Sequence, residues 1–354
     1  MPTVDPARRD DAQEPAPPAD TQPPSGGSTI RTAITVLVGI ALLVWLMYHA
    51  GFDELHEQFD KIGFLAPLVL LPYVGVAIVD AIAWKLALSP DAQRRVPFTT
   101  LVFARMAGEA VNSVTPTATI GGEPLKAQLL RTYGVAMSDG LASVVVGKTT
   151  LTIAQSLFTA LGFAALLLWL GRPGLAAFWL VVLLGVLVGF TYGLMHVQQR
   201  NPATTLWRWA THVFPRVRRF QRLEAGSRAI DERLQDYYQD ERGGFVLATA
   251  WNFAGWIFGV IEVQLMCTLI DHPIPWLEAF VIEAVAQPIR AVAIIVPGGL
   301  GIQEWGGVEF CTFLGMPEAV AATLWLLKRG REIVFDIVGL LYLAKRSVSG
   351  TLRA

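Results

Sequence analysis

The chain has 354 residues, of which 53% are hydrophobic and 16% charged, with a mean hydropathy of +0.46. Soluble domains average about 25% charged residues, so this balance excludes an ordinary soluble fold and points into lipid. A net charge of −1 excludes nucleic acid as a partner.

Residues 1–29 read as a disordered, Pro-rich cytoplasmic tail. Seven prolines and several acids fall in the first 28 positions, with almost no apolar side chain to offset the entropy of ordering. Beyond it, a hydrocarbon core about 30 Å thick needs roughly 20 apolar helical residues to cross. Six segments meet that length: Thr32–Phe52, Ile62–Trp84, Leu141–Leu170, Gly174–Met195, Gly243–Ile270 and Ala319–Ala344. Asp80, Lys148 and Glu262 each interrupt one of them, and the last carries a charged centre. Two further apolar segments are broken by Gly and Pro. One runs from Phe98 to Gly134 through Pro116, Gly121 and Gly122; the other runs from Leu277 to Leu314 through Pro297, Gly298, Gly299 and Gly301. Irregular backbone at membrane depth persists only where protein or a water-filled cavity covers it, so both segments are expected to form re-entrant hairpins rather than pairs of full spans.

The basic loops set the orientation. Lys85, Arg94 and Arg95 lie in one loop; Arg200, Arg208, Arg216, Arg218, Arg219 and Arg222 in another; Lys345, Arg346 and Arg353 at the C-terminal end. Placing all three inside puts both termini in the cytoplasm, with residues 346–354 as a short cytoplasmic tail. The insert 197–242 repeats Phe220, Leu223, Ile230, Leu234 and Tyr237 at helical spacing, downstream of Trp207 and Trp209. It reads as amphipathic helices on the headgroup surface, with a soluble connector packed on the spans as the alternative.

The two broken segments match. Arg105, Glu109 and Asn112 stand at offsets 0, 4 and 7, as do Glu283, Gln287 and Arg290, so each triplet lines one helix face. Each is followed by Pro, a Gly pair and Glu. Residues 30–170 and 174–345 both read span, span, hairpin, span, and they begin on opposite sides of the membrane. Inverted repeats with interrupted helices at matching positions are the sequence pattern of secondary transporters, whose sites lie at the midplane. The expected fold class is therefore an all-α polytopic membrane protein with an inverted-topology repeat.

A charge in a spanning helix costs at least a few kcal/mol unless it is paired or solvated. The final span reads Lys328-Arg329-Gly330-Arg331-Glu332, followed by Asp336. Lys328 and Glu332 are one turn apart, but three cations face two acids. At least one cation is left for an acid on a hairpin, Glu304 or Glu123, or for an anionic ligand. Lys148 lies about 10 Å from the nearer end of its span at 1.5 Å per residue, which points to a buried partner such as Glu109. In Gly121-Gly122-Glu123-Pro124-Leu125-Lys126, Pro124 suits a first helical turn, and Lys126 and Arg131 could receive a phosphate there; a plain helix start with an interfacial Lys is the alternative. Gly147-Lys148-Thr149-Thr150 resembles the end of a phosphate-binding loop, but Ala142 occupies the position that requires Gly and no strand precedes it. No ATPase is expected. Cys267 and Cys311 sit in apolar stretches away from any His pair, which reads as packed thiols; no metal or cofactor is implied.

The strings Ile120–Arg131 and Val296–Glu304 resemble the two signature regions of the flippase-like family, which includes the membrane region of lysylphosphatidylglycerol synthases and the hopanoid-biosynthesis-associated membrane proteins. The Arg329 neighbourhood resembles that family's final span, and the resemblance runs over about residues 31–345. It implies the movement or handling of a lipid with a polar head in the inner membrane. The synthases add a soluble aminoacyl-transferase domain; this chain stops at Ala354, so that activity is expected to be absent. The leading expectation is a lipid translocase without its own ATPase, with membrane lipids as ligands and lipid-biosynthesis enzymes as conceivable partners. Glu123, Lys126, Arg131, Arg290, Glu304, Lys328 and Arg329 are expected to bind the head group. Arg105, Glu109, Asn112, Lys148, Glu283, Gln287, Arg331 and Glu332 are expected to be buried polar support. A membrane-embedded enzyme acting on a lipid-linked substrate and a scaffold for a biosynthetic complex are the alternatives. No catalytic residue is assigned, because no His lies in a hairpin and no nucleophile–base arrangement is visible.

Overall fold

Apolar runs leave the backbone no water to bond with, and a helix satisfies every N–H and C=O within its own segment. In the computed structural model, which describes Tyr48, His56, Glu57, Asp60 and residues 62–114, 121–198, 200–213, 221–293 and 300–348, the regular structure is helical throughout. A 3₁₀ segment, Gly63–Leu70, contains Pro67 and runs directly into α1 (Leu71–Leu86). The short α2 (Pro90–Arg95) starts where Ser89 Oγ accepts the Ala92 N–H. Then come α3 (Phe98–Val114), α4 (Gly122–Arg131), α5 (Met137–Trp169) and α6 (Pro173–Gln198). The insert forms α7 (Pro202–Val213) and α8 (Gln221–Asp240). The remainder is α9 (Arg242–Leu269), α10 (Trp276–Ala293), α11 (Ile302–Phe313) and α12 (Glu318–Val348).

Among the described residues, four helices are long and apolar enough to cross a membrane: Gly63–Leu86, α5, α6 and α9. They correspond to the second to fifth spans expected from the sequence. The sixth falls in α12, which has the length, at 31 residues, but carries its charges in the middle. The first span (apart from Tyr48), the tail 1–29, and Pro116, Pro297, Gly298 and Gly299 lie outside the described residues.

The helices pack in a regular scheme. α1 lies against α9; α3 lies against α12 and α5 against α10. α4 touches both α3 and α5, and α11 touches both α10 and α12. Two apolar clusters fill the space between them, one around Phe158, Met266 and Trp325 and the other around Leu101, Leu129 and Leu130. α6 packs mainly on α5 and turns Val181, Val186 and Val188 outward. Such a face suits contact with lipid tails.

The insert divides between the two readings of it. Leu234, Tyr237 and Tyr238 of α8 are buried, and Arg233 Nε reaches Asp139 on α5 at 3.0 Å. The Asp231 carboxylate accepts the N–H groups of Ala203 and Thr204, each at 2.8 Å, and so caps α7 from another helix. α8 is therefore a connector packed on the spans. α7 instead leaves Leu206 and Trp209 exposed. Phe220 and the side chain of Leu223 lie outside the described residues.

Two glycines expected to break helices behave differently. Gly121 has φ −62° and is already helical, a conformation open to any residue. Gly122 matters for space rather than for backbone freedom, since a Cβ there would stand 2.0 Å from the Gly108 carbonyl oxygen. The arms α3 and α4 thus touch backbone to backbone, as small residues permit in membrane helices. Gly301, at φ +76°, does occupy the left-handed region that favours glycine.

A methyl group at Gly122 must push the two arms apart, and overpacking of this kind costs about 1–3 kcal/mol. Gly122→Ala is expected to lower the melting temperature in detergent, whereas Gly185→Ala on α6, with nothing within 4 Å of a new Cβ, should leave it unchanged.

Candidate functional site

Two networks of charged side chains lie at the depth of the apolar helices, one in each half of the chain. The first begins on α1, where Asp80 contacts Arg105 of α3 directly. One turn on, Glu109 receives the Lys126 ammonium of α4 at 2.9 Å. Lys126 also lies 3.2 Å from Glu123, and Lys148 of α5 approaches Glu123 at 3.4 Å. Asn112, the third member of the α3 triplet, accepts the Gly122 N–H through Oδ1 at 2.7 Å and joins the two arms. The helical offsets put Arg105 and Glu109 on one face, and the absence of a side chain at Gly108 leaves room for the Lys126 stem to lie across α3.

These residues surround a cavity with roughly 450 Å³ of empty volume, its open mouth included. Its charged lining is Asp80, Arg105, Glu109, Glu123, Lys126 and Lys148, joined by Trp84, Leu151 and Asn252 among others, so five helices contribute. Exposure is uneven. The Lys148 and Glu109 side chains are 43% and 35% exposed, against 10% for Lys126 and 14% for Glu123.

The second network centres on α12. Lys328 lies 2.6 Å from Glu283 of α10 and 3.3 Å from Glu262 of α9. Arg331 also reaches Glu262, at 2.7 Å, and stacks its guanidinium 4.1 Å from the centre of the Tyr73 ring. Arg290 stands 3.6 Å from Glu283. Arg329 contacts Glu304 of α11 directly and Glu332 at 2.8 Å. Glu304 in turn accepts the Gly301 N–H at 2.7 Å, Gln303 donates to Glu332 at 3.3 Å, and Gln287 bridges Glu283 and Gln155. Lys328, Glu262 and Glu283 are between 1% and 3% exposed. The centre of the second network is thus enclosed, with Arg290 and Glu332 part-exposed at its edges, whereas the first opens to a cavity.

Several partners differ from those the sequence suggests. Lys148 pairs with Glu123, not with Glu109, because Lys126 reaches Glu109 first from the neighbouring arm. Lys328 and Glu332 do not pair within their helix. Lys328 turns to two acids on other helices and leaves Glu332 to Arg329. Of the acids expected to reach the cations of α12, Glu304 of α11 does so, through Arg329. Arg131 stands apart: it is exposed at the end of α4, does not line the cavity, and its carbonyl receives the Gly134 N–H. Asp80, Glu262 and Tyr73 join the two networks, and Trp84 and Asn252 line the cavity, although none of the five is among the expected site residues. The first two carry a signal, a lone charge in an apolar run. The other three carry none, since aromatic and amide side chains are common in such helices.

The family model of the lysylphosphatidylglycerol synthase TM region matches residues 32–339, a range that takes in both networks. The UPF0104 membrane protein of Methanothermobacter thermautotrophicus is 26% identical over 312 residues, covering 84% of this chain and 90% of that protein. A UPF0104 membrane protein of Pyrococcus horikoshii is 21% identical over 319 residues, covering 85% and 92%. No solved structure matches.

Removing one partner of a buried ion pair strands the other, at a cost of roughly 3–5 kcal/mol. Glu262→Gln, which deprives both Lys328 and Arg331, is expected to lower unfolding stability in detergent by that amount. Adding Arg331→Gln should recover part of the loss, and a double-mutant cycle reads the coupling.

Proposed function

Because the chain belongs to the lysylphosphatidylglycerol synthase transmembrane-region family, we propose that it moves a lipid with a polar or anionic head group across the inner membrane, with no ATPase of its own. The observation that carries this reading is the cavity between α1, α3, α4, α5 and α9, with charges from the first four of these helices at the depth of apolar spans. The head group enters there while the acyl or prenyl tail stays in the bilayer. Lys148 is the first contact for a phosphate, since its bond to Glu123 is long and its ammonium is open. Lys126, held by Glu109 and Glu123, supplies positive charge behind it.

Transport without ATP requires the site to face the two leaflets in turn. In this reading the protein has six spans and two re-entrant hairpins, α3–α4 and α10–α11, arranged as an inverted repeat. The packing scheme supports it. α1, α3, α4 and α5 correspond in order to α9, α10, α11 and α12; the α3–α12 contact then has its counterpart in α5–α10, and α1 and α9 meet at the axis. One half presents an open network and the other an enclosed one, as expected of two halves that exchange states. Glu304, Lys328, Arg329 and Arg290 hold the enclosed half and would meet the head group after the exchange.

The cytoplasmic assignment of the basic loops also has support. Arg346 donates to the Tyr133 hydroxyl at 2.7 Å, Arg95 to the Gly134 carbonyl at 3.3 Å, and Arg233 to Asp139 at 3.0 Å. The three basic regions therefore gather at one end of the bundle.

The test is flipping of a fluorescent phospholipid in proteoliposomes, read by quenching of the outer leaflet. Lys148→Gln is expected to slow it at least tenfold with little change in melting temperature, because a part-exposed ion pair contributes about 1 kcal/mol or less. A full rate in this variant would sink the site.

A further inference from the structure

The cavity is electrically balanced. Its charged lining consists of three acids, Asp80, Glu109 and Glu123, and three cations, Arg105, Lys126 and Lys148. All six are engaged with one another: Asp80 with Arg105, and the rest in the alternating chain Lys148–Glu123–Lys126–Glu109. The inner members of that chain are enclosed and its two ends are open, and the open ends have opposite sign.

On the premise that a lipid head group occupies this cavity, we infer that the preferred head carries one phosphate and one primary ammonium and is neutral overall, with Lys148 taking the phosphate and Glu109 the ammonium. A net charge brought to bilayer depth beside a balanced network has no counter-ion and is costly. A zwitterion adds no net charge. It also replaces the long Lys148–Glu123 contact with a closer pair, and gives the part-exposed Glu109 carboxylate a second donor beside Lys126. A primary ammonium donates hydrogen bonds to a carboxylate and a trimethylammonium does not. Trp84 is the one aromatic side chain among the described lining residues, short of the cage that a quaternary ammonium favours. A head with a second ammonium, such as a lysyl ester of phosphatidylglycerol, finds no second open acid, because Glu123 is held between two lysines.

Native mass spectrometry of the full chain in detergent, titrated with single lipids of matched acyl chains, tests this. Phosphatidylethanolamine is expected to bind at least tenfold more tightly than phosphatidylglycerol, lysylphosphatidylglycerol and phosphatidylcholine. Glu109→Gln, which leaves Lys126 its contact with Glu123, should abolish the preference over phosphatidylglycerol. Its melting temperature is read alongside, and the converse variant Glu109→Asp should retain the preference. Equal or tighter binding of any of the other three lipids, or an unchanged preference in Glu109→Gln, overturns the inference. Lipid binding of every kind that is indifferent to Lys148→Gln removes instead the premise that a head group sits in this cavity. Phosphatidylglycerol binding that depends on Lys148 keeps that premise and rejects the zwitterion.

Discussion

Pairing of charge where water is scarce governs the rest of this structure. An unpaired charge at the centre of a membrane helix costs about 2.5–3.5 kcal/mol on insertion scales. Around α12, Lys328, Arg331 and Arg290 pair with Glu262 and Glu283, and Arg329 pairs with Glu304 and Glu332. Left unpaired, eight such groups would cost on the order of 20 kcal/mol, above the roughly 5–15 kcal/mol that holds a typical domain folded. Their mutual pairing therefore sets how α9, α10, α11 and α12 can lie. Sliding α12 by one turn would take Lys328 from Glu262 and Glu283, and Arg331 from Glu262 and the face of Tyr73. Through that ring on α1 the constraint extends from the second half of the chain into the first.

The two networks use the same chemistry for different ends, and exposure is what separates them. Lys328 between two glutamates at 1% exposure is a structural element, because giving up either acid leaves a buried charge with less support. Lys148 at 43% exposure, 3.4 Å from a carboxylate it shares with Lys126, can change partners at small cost. Arg329, paired with Glu304 and Glu332, ties α11 to α12.

Close helix contact is the companion constraint. The arms α3 and α4 are joined by Gly108 against Gly122 and by the Asn112–Gly122 hydrogen bond. A similar approach recurs where Gly339 of α12 lies under the Met106 carbonyl of α3. Small residues at these crossings bring the charged faces within reach of each other. The Lys126–Glu109 pair spans two helices that larger residues at Gly108 and Gly122 would hold further apart.

Much of this was legible along the chain. Four of the six expected spans appear as helices of the expected length, because crossing a bilayer requires only a run of apolar residues, a property of neighbours in sequence. The matching triplets Arg105–Glu109–Asn112 and Glu283–Gln287–Arg290 follow in the same way from the helical period. The surplus of cations near Lys328 announced partners on other helices, since local pairing could not satisfy them. Which acid each cation takes was decided only in three dimensions. Lys148 meets Glu123 and not Glu109, Lys328 meets Glu262 and Glu283 and not Glu332, and Tyr73 enters a network and Trp84 and Asn252 the cavity wall without any mark in sequence. The physical reason is that a long, flexible cation chooses among several acids by which helix faces are brought together. That juxtaposition belongs to the packing of distant segments and not to any stretch of chain by itself.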